Sequence, residues 1–368
     1  MMRSKKEEIS AEEKFYVASQ WQLMWRQFVK HKLAIFGGTV LAVFYIAAIF
    51  CEFFSPYNIY KRHTEYIYSP PQRIHFFDDR GFNIRPFVYG LERIKGQLDR
   101  IYSEDRTKKY PIYFFVHGDE YKLWNLFETD LHLFGVKEGV GFLFGTEELG
   151  RDLFSRNLYA SRISLSIGLV GIGLSFILGC MLGGISGYYG GRIDMIIQRL
   201  VEFLISVPTI PLWMALSAAL PSRWSPIKVY FGITIILSIV GWCGLSRVVR
   251  GKLISLREED FVMAAGIAGA SETRIITRHL LPSFLSYLIV NLTLAIPYMI
   301  LGETALSFLG LGIRPPAVSW GTLLQGAQKV HAILLHPWLL IPGIFVIIAI
   351  LAFNFLGDGL RDAADPYK

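Results

Sequence analysis

Six long apolar segments constrain what this chain can fold into. They lie at residues 33–50, 163–187, 195–220, 229–249, 284–309 and 338–356. An α-helix rises 1.5 Å per residue, so about 20 apolar residues cross the hydrocarbon core of a bilayer. A helix also satisfies its own backbone hydrogen bonds there, as lipid requires. The sequence therefore predicts an all-α polytopic membrane protein with six transmembrane helices.

Composition supports the same class of protein. Of 368 residues, 52% are hydrophobic, and the net charge is +7. A basic balance can indicate nucleic-acid binding, but here the charges collect at the ends of apolar segments. We therefore predict a lipid bilayer, and no nucleic acid, as the partner. The three cysteines include no C-x-x-C pair, so we expect neither a disulfide framework nor a metal site.

The first apolar segment follows a polar tail, residues 1–32, with seven Lys or Arg residues. Trp21 and Trp25 lie four residues apart, which favours an amphipathic helix on the membrane surface; a solvated tail is the alternative. A signal peptide is disfavoured because segment 33–50 is long and Phe50 is too large for a cleavage site. We predict an uncleaved first span.

A hydrophilic insertion, residues 51–160, separates the first two spans. It is dense in aromatic residues, which argues against disorder, and alternation at 113–116 suggests strands. A lid, a docking surface and a brace for the spans stay open as roles. At its end we expect Thr146 to cap a short surface helix carrying Arg151, Arg156 and Arg162.

Charge predicts the orientation. The tails 1–32 and 357–368, the turn 188–194 and the loop 250–282 together hold fifteen Lys or Arg residues, against four in the loops 221–228 and 310–337. The positive-inside rule makes the richer side cytoplasmic. The insertion then faces outward, because long loops cross regardless of charge.

Within the predicted core, 161–356, small residues recur every four positions in the second span: Gly171, Ser175, Gly179, Gly183 and Gly187. They predict close helix packing. Pro208 and Pro211 should kink or break the third span. Glu202 and Glu303 are the acids within spans and are candidates for the translocation path. The open alternatives are a Glu202–Arg199 ion pair and a Glu303 that reaches the interface.

The loop between the fourth and fifth spans is predicted as a helix–turn–helix. Ser255 and Glu258 have capping-box spacing, Gly269 can end the first helix in the left-handed region, and Ser271 can cap a second helix. Pro282 should prevent further regular helix. From the residues alone, a docking surface and a loop packed on its own protein are equally supported.

This loop resembles the "EAA" signature of ABC-importer permeases, with Met263 where that family has its glutamate. The stretch GTEELGRDLFSRNLYASRISL, from residue 145, the run SFLGLGIRPPAVSWG and the tail GDGLRDAADP resemble the dipeptide/oligopeptide permease subfamily. The resemblance implies a type I ABC-importer permease in a prokaryotic inner membrane. It also implies a coupling helix that docks on an ATPase, for which we single out Phe261, Met263, Ala264, Ala265, Gly269, His279 and Pro282.

The same resemblance implies a second homologous permease, two cytoplasmic ABC ATPases and an extracytoplasmic substrate-binding protein as partners. The chain has no phosphate-binding loop and no metalloprotease or hydrolase motif, so we predict that it is not an enzyme and holds no cofactor. ATP and Mg²⁺ would be bound by the ATPases. Peptides are the expected substrate, with oligosaccharides or nickel as alternatives; a secondary transporter is disfavoured because no inverted repeat is evident.

Overall fold

The computed structural model describes residues 20–78, 81–94 and 100–364. Helices dominate it, with one antiparallel sheet between the first and second long helices. The α-helices are α1 Gln20–Lys30, α2 Lys32–Ile49, α3 Cys51–Phe54, α4 Leu153–Tyr189, α5 Gly191–Ser206, α6 Thr209–Ala218, α7 Pro226–Leu256, α8 Asp260–Ile267, α9 Glu272–Arg274, α10 Leu281–Ser283, α11 Leu285–Phe308, α12 Trp320–Gln325, α13 Val330–Leu335 and α14 Ile341–Ala364.

Five helical segments in the described residues are long and apolar enough to cross a membrane, with α5 and α6 forming a sixth if the pair is one span. These two helices are bent by 87° at a short break. Pro208 lies in that break with extended backbone, as predicted, whereas Pro211 is accommodated within the first turn of α6, where a missing N–H costs little. The predicted count of six therefore depends on this bent pair.

The N-terminal region begins its described part with the amphipathic helix α1. Trp25 is exposed on it, while residues 1–19 and the Trp21 side chain lie outside the described part. The His31 ring then accepts a hydrogen bond from the Ala34 N–H at 3.1 Å and caps α2. Helix α2 matches the predicted first span to within one residue at each end.

The insertion folds as a four-stranded antiparallel sheet, which confirms the strands predicted for this part of the chain. Its strands are β1 His75–Asp78, β2 Gly81–Arg93, β3 Tyr102–Leu123 and β4 Phe127–Val136, in the order 1-2-3-4. The predicted alternation at 113–116 lies in β3. The first half of β3 pairs with β2, and the second half pairs with β4. The long strand β3 therefore connects the two halves of the sheet.

The predicted short helix after the insertion is instead the start of the 37-residue helix α4. Asp152 caps it, since its carboxylate accepts from the Ser155 N–H at 2.7 Å. The Thr146 cap is wrong: its hydroxyl accepts from the Ser69 N–H at 2.8 Å and donates to the Tyr66 carbonyl. Thr146 thus fixes the loop that leads out of the sheet.

Among the described helices, α4 and α7 form the most extensive contact, through the predicted stripe of small residues. A Cβ added at Gly183 would lie 2.5 Å from the Ser246 carbonyl oxygen, and one at Gly187 would lie 2.8 Å from the Arg250 carbonyl oxygen. Both are closer than van der Waals contact allows. The absence of side chains therefore sets the separation of the two helices, as the stripe predicted.

The last helix, α14, runs to Ala364 and so continues past the predicted boundary at residue 356. It packs along α2, where a Cβ at Gly37 would lie 2.6 Å from the Ala352 carbonyl oxygen and one at Gly359 would lie 2.1 Å from the Ala34 Cβ. Residues 357–364 are consequently part of a packed helix rather than a free tail.

Candidate coupling segment and buried acidic residues

The polar loop after α7 forms the short helix α8, which starts later than predicted. Ser255 lies in the last turn of α7, which ends at Leu256, so the Ser255–Glu258 capping box is wrong. Glu259 occupies the N-cap position of α8 without a side-chain hydrogen bond, and Asp260 lies in the first turn. The apolar periodicity of α7 extends through Leu253, which is fully buried, and this packing outweighs the local capping signal.

Gly269 ends α8 in the left-handed region, as predicted, with φ of +80°. The Ala270 N–H donates to the Ala265 carbonyl and the Gly269 N–H to the Gly266 carbonyl, both at 3.0 Å. These bonds use carbonyls that the helix end leaves without partners. Ser271 then caps α9 by accepting from the Arg274 N–H at 3.4 Å, which confirms the predicted second cap.

The return to the membrane stays helical through Pro282, unlike the prediction for that residue. A π-helical segment, Ile275–Leu280, leads into α10, and Pro282 lies in the first turn of α10. The break comes two residues later, at Phe284 with φ of −126°. His279 is half-buried and Pro282 is exposed.

One side of α8 is buried and the other carries exposed apolar side chains. Val262 faces inward and joins a cluster that includes Leu253 and Leu280. Phe261, Met263 and Ile267 are exposed by 43%, 52% and 89%. The structure thus places Phe261 and Met263 on the surface, and it adds Ile267, which lies one helical turn after Met263.

Two polar contacts lie at this end of the helix bundle, one between α5 and α7 and one between α4 and the loop. The Arg250 guanidinium in α7 contacts both carboxylate oxygens of Asp194 in α5, at 2.5 and 2.6 Å. The Tyr189 hydroxyl at the end of α4 donates to Glu272 at 2.6 Å. Sequence reasoning missed both contacts, because residues 56 and 83 positions apart give no local signal of pairing. The Tyr189–Glu272 bond links the loop to α4, and the Arg250–Asp194 pair links α5 to α7, the helix that leads into the loop.

Glu303 is fully buried in α11. The Ser164 hydroxyl donates to one carboxylate oxygen at 3.0 Å, and the Ser307 hydroxyl donates to the other at 2.6 Å. These hydroxyls in turn accept from the backbone N–H groups of Trp320 and Ile313, at 3.1 and 2.9 Å. Glu303 therefore connects α4 and α11 to the segment that leads into α12.

Glu202 is in a different environment from Glu303. It lies on α5 and pairs with Arg199 at 3.0 Å, and both side chains are more than half exposed. This is the ion pair that the three-residue spacing predicted. The two candidate path acids are thus not brought together in one network of hydrogen bonds.

Three arginines that we expected on a surface helix form specific polar contacts instead. Arg151 pairs with Glu147 in the loop before α4. Arg156 is buried and donates to the Ile59 carbonyl at 3.3 Å, and Arg162 pairs with Glu52. Arg156 and Arg162 join α4 to the chain that enters the sheet domain. Within the described residues no cluster of His, Cys, Asp and Glu suits a metal ion, and the three cysteines are buried and unpaired.

A family model described as "Binding-protein-dependent transport system inner membrane component" matches residues 175–367. This is more than half of the chain, and the chain therefore belongs to that family. A second model, described as "N-terminal TM domain of oligopeptide transport permease C", matches residues 19–71. Together the two matches confirm the resemblance that the motifs predicted.

Curated relatives agree with this assignment. The chain is 40% identical to dipeptide transport system permease protein DppC of Bacillus subtilis (strain 168), over 61% of this chain and 68% of that protein. It is 40% identical to oligopeptide transport system permease protein OppC of Haemophilus influenzae, over 69% of this chain and 78% of that protein. Among solved structures, the inward-facing MetNI methionine ABC transporter is similar over 55% of this chain and 93% of that chain, with 16% identity and a TM-score of 0.43.

Proposed function

We propose that this chain is the translocation subunit of an ATP-driven importer of peptides. Membership of the transport-component family supports the importer class, and the names of the dipeptide and oligopeptide relatives support the substrate. In this proposal a second permease forms the other half of the path, and two ABC ATPases supply the energy. A binding protein delivers the substrate on the opposite side of the membrane.

The observation that carries the proposal is the exposed apolar side of α8. A single exposed apolar residue is ordinary, but a short helix that exposes Phe261, Met263 and Ile267 together leaves a small apolar patch uncovered. The opposite side of α8 is anchored by Val262. We propose that an ATPase covers this patch and that its movement reaches the bundle through Arg250–Asp194 and Tyr189–Glu272.

The orientation belongs to the same proposal. The coupling loop and both termini would be cytoplasmic, and the sheet would lie on the outer side with the binding protein. Glu303 and Glu202 stay candidates for residues near the path, with Glu303 acting through the helices that it joins. ATP and Mg²⁺ would be bound by the ATPases, since this sequence has no phosphate-binding loop.

Co-purification with the neighbouring gene products tests the proposal. We expect wild-type protein to carry a second permease and ATPase subunits, and to take up radiolabelled di- and oligopeptides in proteoliposomes that contain ATP. Phe261→Asp and Met263→Asp should lose the ATPases but keep the second permease, because a charge in an apolar interface is costly. Ile84→Asp, at an exposed apolar position in β2, is the matched control.

Two results would count against parts of this proposal. If the Phe261→Asp and Met263→Asp variants still co-purified with the full amount of ATPase, α8 would not be the docking element. Uptake of an oligosaccharide or Ni²⁺ that peptides do not inhibit would keep the importer class and change the substrate.

A further inference from the structure

The turn between β3 and β4 has an unusual backbone. Trp124 and Asn125 both have positive φ, 52° and 58°, and the flanking residues Leu123 and Phe127 pair across the hairpin. The Leu126 N–H closes the turn by donating to the Leu123 carbonyl at 3.0 Å. Asparagine tolerates this region, but a bulky side chain there is strained. The sequence nevertheless places tryptophan where glycine would be the least strained choice.

The Trp124 side chain lies at the end of the first span. Its indole Nε1–H donates to the Ile49 carbonyl at 2.8 Å, and its ring lies 5.4 Å from the Phe50 ring. Ile49 is the last residue of α2, where backbone carbonyls lack partners within the helix. The hairpin tip is therefore held at the level at which the chain leaves the span.

Three of the four side chains at this tip are apolar and exposed, and the fourth, Asn125, is polar and exposed. Leu126 is exposed by 74%, Phe127 by 61% and Trp124 by 44%. Helix α2 also exposes apolar residues, among them Val43, Ile46 and Ile49, and Trp124 joins the tip to the last of these. Directly behind the tip, Lys122 and Glu128 pair at 2.7 Å. The exposed apolar side chains thus lie at the tip of the hairpin, and a charged pair lies next to them along the strands.

We propose that this hairpin tip, Trp124–Phe127, is a membrane anchor for the sheet domain. Leu126 and Phe127 enter the leaflet at the C-terminal end of α2, and Trp124 lies at the headgroup level. Tryptophan favours that level because its ring is apolar and its N–H is polar. A lipid surface is favoured as the occupant because the tip extends the apolar surface of a membrane span.

The anchor gives the domain a second point of attachment. The sheet is tied to the bundle covalently through α3 and α4, and a lipid-embedded tip would restrain rotation of the long strand β3. We infer that the domain is held in a defined orientation on the membrane. This inference depends only on α2 crossing the bilayer, so it is independent of the transported substrate.

Lipid-dependent fluorescence quenching tests the anchor. Leu126→Cys in the full chain, with any subunits that co-purify, is labelled with bimane and reconstituted into phosphatidylcholine–phosphatidylglycerol nanodiscs. Ser103→Cys is the matched control, because Ser103 is exposed at the opposite end of β3. The native cysteines are buried, and unsubstituted protein measures their residual labelling. Lipids with a doxyl group near the headgroup supply the membrane quencher, and iodide supplies the aqueous quencher.

We expect doxyl lipid to quench the label at position 126 at least twofold more than the label at position 103, with the opposite order for iodide. Strong iodide quenching at both positions would overturn the proposal by placing the tip in water. A label at 126 that neither quencher reaches would also overturn it, since a protein rather than lipid would then cover the tip.

Discussion

The Arg162 guanidinium contacts both carboxylate oxygens of Glu52, Nη1 to Oε1 and Nη2 to Oε2, at 2.6 Å each. The same guanidinium donates to the carbonyls of Ala48 and Ile49 at 2.9 Å. One side chain thus satisfies carbonyls at the end of α2 and neutralises a buried acid just after it. A bidentate arginine–carboxylate pair is among the stronger polar contacts, and this one joins α2 to α4 where the sheet domain begins.

We expect Arg162→Ala to destabilise the protein more than Glu52→Gln does. The alanine variant leaves the buried Glu52 carboxylate without its partner, at roughly 1–3 kcal/mol, whereas glutamine leaves Arg162 bound to two carbonyls. Thermal denaturation in detergent, followed by size-exclusion fluorescence, measures the difference. Arg162→Ala combined with Glu52→Gln should recover part of the loss, and a purely additive double variant would contradict the coupling.

The close contact between α4 and α7 predicts that one added methyl group lowers the stability of the protein. Gly183→Ala should destabilise the bundle by roughly 1–3 kcal/mol, because its Cβ would overlap the Ser246 backbone. Gly173→Ala on the same helix has open space within 4 Å and should be neutral or slightly stabilising. Denaturation midpoints of the two variants test this. Equal shifts would mean that α4 and α7 can move apart without loss of stability.

Gly269 and Gly266 have different backbone conformations, but both have open space around the position of a side chain. A Cβ at either position meets nothing within 4 Å, and of the two only Gly269 has positive φ. Gly269→Val should therefore strain the end of α8 by roughly 1–2 kcal/mol or more and reduce transport per ATP hydrolysed, with normal membrane insertion. Gly266→Val is the size-matched control. Equal loss in both variants would assign the effect to bulk on the surface rather than to the left-handed turn.

Glu303 and Glu202 should respond differently to loss of charge. Glu303→Gln can no longer accept from both Ser164 and Ser307, so we expect a loss of about 1 kcal/mol or more. Glu202→Gln removes an exposed pair and should change stability by less than about 1 kcal/mol. Uptake normalised to folded protein separates the roles. Normal uptake by folded Glu303→Gln would identify a structural residue, and reduced uptake would support a role near the path.

Asp152 predicts a pH dependence of stability. Burial raises the pKa of this carboxyl to about 6, although hydrogen bonds from Ser155 act in the opposite direction. Its pKa in the unfolded chain is about 3.9, so folding favours the protonated form. Asp152 therefore destabilises the protein above pH 6, by roughly 3 kcal/mol, and this cost disappears as the pH falls towards 4.

The measurement compares wild type with Asp152→Asn between pH 7 and 4. The asparagine oxygen can still accept from the Ser155 N–H and cap α4, but it does not titrate in this range. The asparagine variant should be more stable at pH 7, and the gap should close on acidification. Parallel curves would show that another group titrates.

Local sequence patterns predicted where the spans lie, which side of α4 packs and where one helix ends. Apolar runs located the spans, the small residues of α4 identified its packing side, and Gly269 and Ser271 marked the turn after α8. These features depend on neighbours within one or two helical turns, where spacing translates directly into geometry. The motifs also led to the right family, and to Phe261 and Met263, whose side chains the structure places on the surface.

The tertiary structure decided what local patterns could not. Ser255 has a capping signal, yet it lies within α7, since burial of Leu253 extends that helix. Asp152, rather than the predicted Thr146, caps α4, because the Thr146 hydroxyl bonds to Tyr66 and Ser69. Glu52 meets Arg162 and Trp124 meets Ile49 across 110 and 75 residues. Such contacts form only when packing has already brought distant segments together, so the spacing of residues along the chain carries no record of them.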